Sequence, residues 1–97
     1  MTWTSVPSQR FHWESGQELL TDYASSDAVT WGFCSRCGSS LLYRSTATPE
    51  RVYVTVANLE SLDRAVEGHV SYEEKAAWLQ FDDSLPCFRA KSDERVR

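Results

Sequence analysis

Long apolar runs are missing from this sequence: no stretch approaches the ~20 residues that a membrane-spanning helix needs. The amino-terminal "MTWTSVPSQRF" has neither a basic segment leading into an apolar one nor a small-residue cleavage site. A soluble, cytoplasmic protein with no membrane partner is therefore expected. Clustered positive charge is scarce as well. Ten Lys and Arg stand against fourteen Asp and Glu, a formal net charge of -4, which argues against the phosphate-tracking surface of a nucleic-acid binder. The one basic run, "RAKSDERVR", alternates with acids and is expected to form a solvated, flexible tail over residues 89–97.

Cysteine is sparse and odd in number, three in 97 residues, so the thiols cannot all pair within the chain. In a cytosolic protein a CxxC then favours metal or redox chemistry over stapling. No GxSxG elbow surrounds any serine, and no Ser, His and acid group by spacing, so no catalytic residue is assigned. Glu73, Glu74, Asp82 and Asp83 form acidic pairs that suit exposed turns better than paired-carboxylate catalysis. At this length, with 41% hydrophobic residues, one domain over 1–97 is expected. Its four Trp, four Tyr and four Phe predict an aromatic-rich core.

Period-2 patterning dominates what is present. Phe11 and Trp13 alternate with His12 and Glu14 before a Ser15-Gly16 turn signal, which predicts a strand there with His12 facing solvent. "QELLTDYASSD" is ambiguous: Leu19, Leu20 and Tyr23 would share a helical face, while Thr21 and Tyr23 favour extended backbone. Val29, Trp31 and Phe33 alternate clearly with Thr30 and Gly32. "LLYRST" then returns as a second β-rich run, which puts the intervening "CSRCGSS" at a hairpin tip. "RVYVTVANL" carries Val52, Val54 and Val56 on one face and Tyr53, Thr55 and Ala57 on the other, so a central position is expected. "ESLDRAVEG" reads as loop or a single helical turn, "HVSY" as a short extended piece, and "EKAAWLQF" as returning Trp78 and Phe81 to the core. The fold class that follows is mainly β, a small antiparallel domain with little helix.

Cys34 and Cys37 are the candidate metal ligands. Two thiolates three residues apart can face one zinc at about 2.3 Å if the turn between them curls around the ion. Gly38 can take the positive φ that such a turn needs, and Arg36 would offset thiolate charge. Two alternatives stay open. A thioredoxin-like redox pair would sit at a helix N-terminus, whereas this context is β on both sides, and inert thiols or an adventitious disulfide also fit the spacing. A closed structural site takes four ligands, and the other soft donors, His12, His69 and Cys87, lie in no second paired motif. Cys87 in "SLPCF" reads as a small buried hydrophobe and His69 as a hydrogen-bonded structural histidine.

The order of "V.WGFCSRCGSSL.Y", "YVTVANL" and "GHVSYEEKAAWLQFDDSLP" resembles the C-terminal portion of the glutathione-dependent formaldehyde-activating, or centromere-protein-V-like, family, from about Val6 to Phe88. The resemblance rests on Phe33-Cys34-x-x-Cys37-Gly38-Ser39, on His69-Val70 through Lys75-x-x-Trp78, and on Asp82-Asp83-x-Leu85-Pro86. It implies a β-tent fold, and it implies that Cys34 and Cys37 supply half of a structural zinc site completed in the family by a CxCG motif nearer the N-terminus. A further cysteine cluster in that family carries a catalytic zinc that handles the glutathione adduct. Neither upstream motif stands in these 97 residues. The resemblance thus implies a member shortened at its N-terminus, with glutathione as the related small molecule. The family's carbon-sulfur lyase chemistry, condensing formaldehyde with glutathione to S-(hydroxymethyl)glutathione, is not expected of this chain alone. A homodimer, or a partner chain supplying the absent cysteines and strands, is the expected way to complete the zinc site and cover open edges. A non-enzymatic interaction module is the remaining alternative.

Overall fold

The computed structural model describes residues 1–90 and 94–97, which form two compact units, Met1–Leu62 and Asp63–Arg97. In the first, β1 (Trp3–Pro7), β2 (Leu20–Ala24), β3 (Val29–Cys34), β4 (Ser40–Ser45) and β5 (Arg51–Thr55) build one sheet in the order β1-β5-β4-β3-β2. Every pairing is antiparallel. Among the described residues the helical elements are three-residue 3-10 turns. The protein is therefore a small mainly-β one, as its patterning predicts.

Local chemistry explains the elements. The ambiguous "QELLTDYASSD" divides: Gly16, at φ 79°, allows a left-handed entry to a 3-10 turn at Gln17–Leu19, and the β-favouring Thr21 and Tyr23 then run as β2. β5 is shorter than its valine alternation, because Val56–Asn58 tightens into a 3-10 turn. Its place between β1 and β4 gives it a neighbour on each side, the interior position expected of it.

Phe11 and Trp13 do not form the strand predicted for them; the first strand is Trp3–Pro7. The two rings pack edge-on against each other at 5.4 Å, so their alternation is satisfied locally without a ladder partner. Pro7 is tolerated as the last residue of β1, an edge strand, since it has no N–H to leave unpaired.

Directly opposed residues share a face, and the register sorts the side chains into two layers. One row runs Thr4, Val54, Leu42, Gly32, Asp22, with Val52 and Leu20 on the same face; Leu42 is 4% and Val52 7% exposed. The other row runs Ser5, Tyr53, Tyr43, Trp31, Tyr23. Tyr43 and Tyr53 stack at 4.4 Å, Trp31 lies 4.7 Å from Tyr43, and Trp3 meets Tyr43 edge-on at 5.6 Å. Trp3, Trp31, Tyr43 and Tyr53 are only half-buried and Tyr23 is exposed, whereas Leu42 and Val52 on the other face are buried, so the expected aromatic core is instead an aromatic face. Burial and the neighbouring Tyr53 push the Tyr43 hydroxyl up to about 12.

The second unit is largely irregular. It is held by a 3-10 turn at Tyr72–Glu74, a parallel bridge between His69 and Cys87, and an antiparallel one between Phe88 and Arg95. Among its described residues Cys87 is the one fully buried side chain. "HVSY" is not extended beyond His69, since Ser71 takes a left-handed φ of 53°. Trp78 does not return to the core: it is 83% exposed, on an isolated turn closed by the Leu79 amide donating to Ala76. Among the described residues it has no ladder neighbour to cover it. Of the tail expected over 89–97, residues 91–93 lie outside the described residues, and Arg97 donates to the carbonyls of Phe81, Asp83 and Leu85.

Candidate functional site

β3 and β4 form the hairpin whose tip carries Cys34-Ser35-Arg36-Cys37-Gly38. A register shift makes Gly32 pair with Leu42 and Phe33 with Ser40, so Leu41 is the extra residue of a bulge that bends β4 just after the thiol loop. The loop is fixed by its backbone: Gly38 N–H donates to the Cys34 carbonyl at 2.7 Å, and Cys34 N–H to that of Ser39 at 2.9 Å. Ser35 N–H donates to the Leu19 carbonyl at 2.8 Å, tying the loop to the chain entering β2. Gly38, at φ 80°, provides the left-handed turn its lack of Cβ makes easy.

Both thiols are free; Cys34 is half-buried at the end of β3 and Cys37 is exposed. The Cys37 thiol donates to Ser39 Oγ at 3.2 Å. Hydrogen bonds from the Ser39 side chain first, its backbone next, and then the Cys34 side chain hold the Cys37 thiol below the usual cysteine range, against a small opposing desolvation. Two soft donors thus stand on one turn that is held by backbone hydrogen bonds. No cluster of three or more His, Cys, Asp or Glu able to hold a metal exists among the described residues. The pair suits half of a tetrahedral thiolate site.

The remaining donors lie elsewhere. His12 is exposed, as expected. Cys87 is buried, its thiol donating to the Leu85 carbonyl at 3.7 Å. His69 belongs to a polar knot: its Nε2 is 3.0 Å and 3.2 Å from the two Asp83 carboxylate oxygens, and its ring stacks on Phe81 at 4.0 Å. Arg97 Nη2 donates to the same carboxylate at 2.8 Å, and Leu85 N–H at 3.1 Å. The hydrogen bond from His69 is the main reason the Asp83 carboxyl sits below its ordinary range. Glu73 is likewise lowered, chiefly because it accepts the Ala90 amide. Asp83 and Glu73 therefore serve structural partners and not a shared proton.

Sequence reasoning missed Ser39 as the thiol's partner, although a hydroxyl residue directly after CxxCG was the available signal. It also missed Asp83 and Arg97 around His69, which no spacing connects. A groove of about 650 Å³, lined in part by Met1, Ser40, Thr55, Val56 and Asn58, has no motif either. Asn58 Nδ2 there donates to the Ser40 carbonyl at 2.6 Å, pinning the start of β4 beside the thiol loop.

No helix among the described residues is long and apolar enough to cross a membrane. No curated protein and no solved structure matches the chain significantly. The family model described as glutathione-dependent formaldehyde-activating enzyme matches residues 1–76, which includes the whole sheet and its CxxC tip and stops before Trp78. The chain thus belongs to the glutathione-dependent formaldehyde-activating enzyme family.

Proposed function

We propose that this protein is a zinc-binding domain of that family in which Cys34 and Cys37 donate two thiolates to a structural zinc. The observation that carries the reading is the pairing of two free thiols on a backbone-fixed hairpin tip. Zinc would supply no reaction there, only a cross-link between the tip and whatever brings the other donors. Closed zinc sites take four ligands, and Cys87 is buried in its own hydrogen bond. Two donors must then come from outside these residues, and the simplest source is the same pair on a second copy, around a two-fold axis.

On this reading the family's carbon-sulfur lyase chemistry is not run by this polypeptide alone. Condensing formaldehyde with glutathione through an open metal position needs donors beyond Cys34 and Cys37. The zinc proposal is tested by native mass spectrometry of the untagged protein, with metal content and oligomeric mass read together. One zinc per dimer is expected; a zinc-free monomer at micromolar concentration refutes it. Turnover of glutathione and formaldehyde by the purified chain alone would overturn the second part.

A further inference from the structure

We infer that Cys34 and Cys37 form a thiol-disulfide couple, in which Cys37 exchanges with small disulfides and Cys34 resolves the mixed disulfide, so that oxidation disables the proposed zinc site. Only the link to zinc rests on the reading above; the couple itself stands on the geometry of the pair.

Access separates the two sulfurs. Cys37 and its neighbours from 35 to 39 are exposed, while Cys34 is half-buried at the end of β3, opposite Leu20. Exchange requires a sulfur that a disulfide can approach along its S–S axis, so the first attack falls to Cys37. Retention of the loop makes the second step intramolecular. The three hydrogen bonds that shape it, from the amides of Gly38, Cys34 and Ser35, involve no sulfur. The turn therefore holds its two cysteines together whether the sulfurs carry protons, metal or each other. Cys87, fully buried, offers no competing thiol.

The thioredoxin context is a helix N-terminus, which gives the exposed sulfur a hydrogen-bond donor. This chain has no such helix among its described residues, yet Ser39 Oγ sits 3.2 Å from Cys37 Sγ and can donate once the thiol has lost its proton. The β context, which argued against redox chemistry at the level of sequence, thus supplies the missing donor through a side chain.

The step balances without an added reductant. The Cys37 thiolate attacks one sulfur of a low-molecular-weight disulfide and expels one thiolate. That thiolate takes the proton of Cys34, whose sulfur attacks Cys37, forms the Cys34–Cys37 bond and expels the second thiolate, which takes up from solvent the proton that Cys37 released on ionising. Two cysteines are oxidised by two electrons, and one small disulfide is reduced to two thiols.

The test is intact-mass analysis of the 97-residue chain after exposure to oxidised glutathione and acid quench, metal-free and zinc-loaded, with folding of each variant checked by circular dichroism. The metal-free wild type is expected to lose two hydrogens and keep no adduct. Cys34→Ser should retain one glutathionyl group that maps to Cys37, and Cys37→Ser should acquire none over the same interval. A wild type that keeps the glutathionyl group, cross-links to a second copy, or reacts at neither sulfur overturns the couple. So does Cys37→Ser labelled at Cys34 as fast as Cys34→Ser is at Cys37. In the zinc-loaded arm, closure should release the metal to a chromogenic chelator. A chain that closes the disulfide but never held zinc keeps the couple and sinks the zinc reading, and one that holds zinc but never closes does the reverse.

Discussion

Gly32→Ala isolates what fills the aliphatic face of the sheet. Gly32 does not need a positive φ, so its backbone accepts an alanine. On backbone grounds alone the change should stabilise, by roughly 0.5–1 kcal/mol. Space decides otherwise: an added Cβ would lie 2.8 Å from Leu20 Cδ1 and 3.1 Å from Leu42 Cδ1. Both are well inside the ~3.5–4.0 Å of good carbon contact, and overpacking of this kind costs about 1–3 kcal/mol. The net expectation is destabilisation of about 0.5–2 kcal/mol once the backbone gain is offset against the clash. Leu20 is the closer neighbour, so Leu20→Ala should relieve part of the strain. The double variant should then be more stable than the two single changes predict by about 0.5 kcal/mol or more. Urea denaturation followed by tryptophan fluorescence measures all four corners of the cycle. A neutral or stabilising Gly32→Ala, or zero coupling to Leu20→Ala, would show that the leucines do not close over the glycine, and the packing argument would fail.

Further outcomes follow from other groups. Asp83 has a lowered pKa, so the stability it contributes is present above the unfolded value near ~3.9 and is lost as pH falls through the folded one. Acid should accordingly lower the protection factors of the His69 and Phe88 amides, measured against the intrinsic exchange rate at each pH, and Asp83→Asn should lower them at neutral pH already; equal protection in the variant would remove the knot from the account. Tyr43 runs in the opposite sense: with its pKa raised to about 12, its contribution is intact below ~10 and fades as pH climbs to the folded value. An ultraviolet titration should show one late phenolate that Tyr43→Phe deletes. Trp78→Ala should shift stability by no more than about 0.5 kcal/mol, because the ring is 83% exposed, and a larger loss in urea melts would mean it is covered.

The hairpin and its tip were legible because β3 and β4 alternate large β-favouring residues around a loop containing glycine, a pattern that local chemistry alone enforces. β1 was not: Trp3 and Ser5 lie on one face, Thr4 and Val6 on the other, so neither side contrasts with its opposite, and its partner β5 is far away in sequence. Phe11 and Trp13 showed the converse failure, a clean alternation with nothing to pair against. Of the candidate site, Cys34, Cys37 and Gly38 could be read from spacing. The role of Ser39 depends on how the loop curls, and the knot of His69, Asp83 and Arg97 depends on chain segments that meet only in the folded unit.

The register of Trp3 with Thr55 has a consequence for the order of events on the ribosome. β2 to β5 form a meander in which each strand finds the one just made, whereas β1 must wait for a partner about fifty residues downstream, and contacts of that separation form late. The hairpin presenting Cys34 and Cys37 is therefore complete before β1 pairs with β5, so the two thiols are held together on a finished turn while one edge of the sheet is still open.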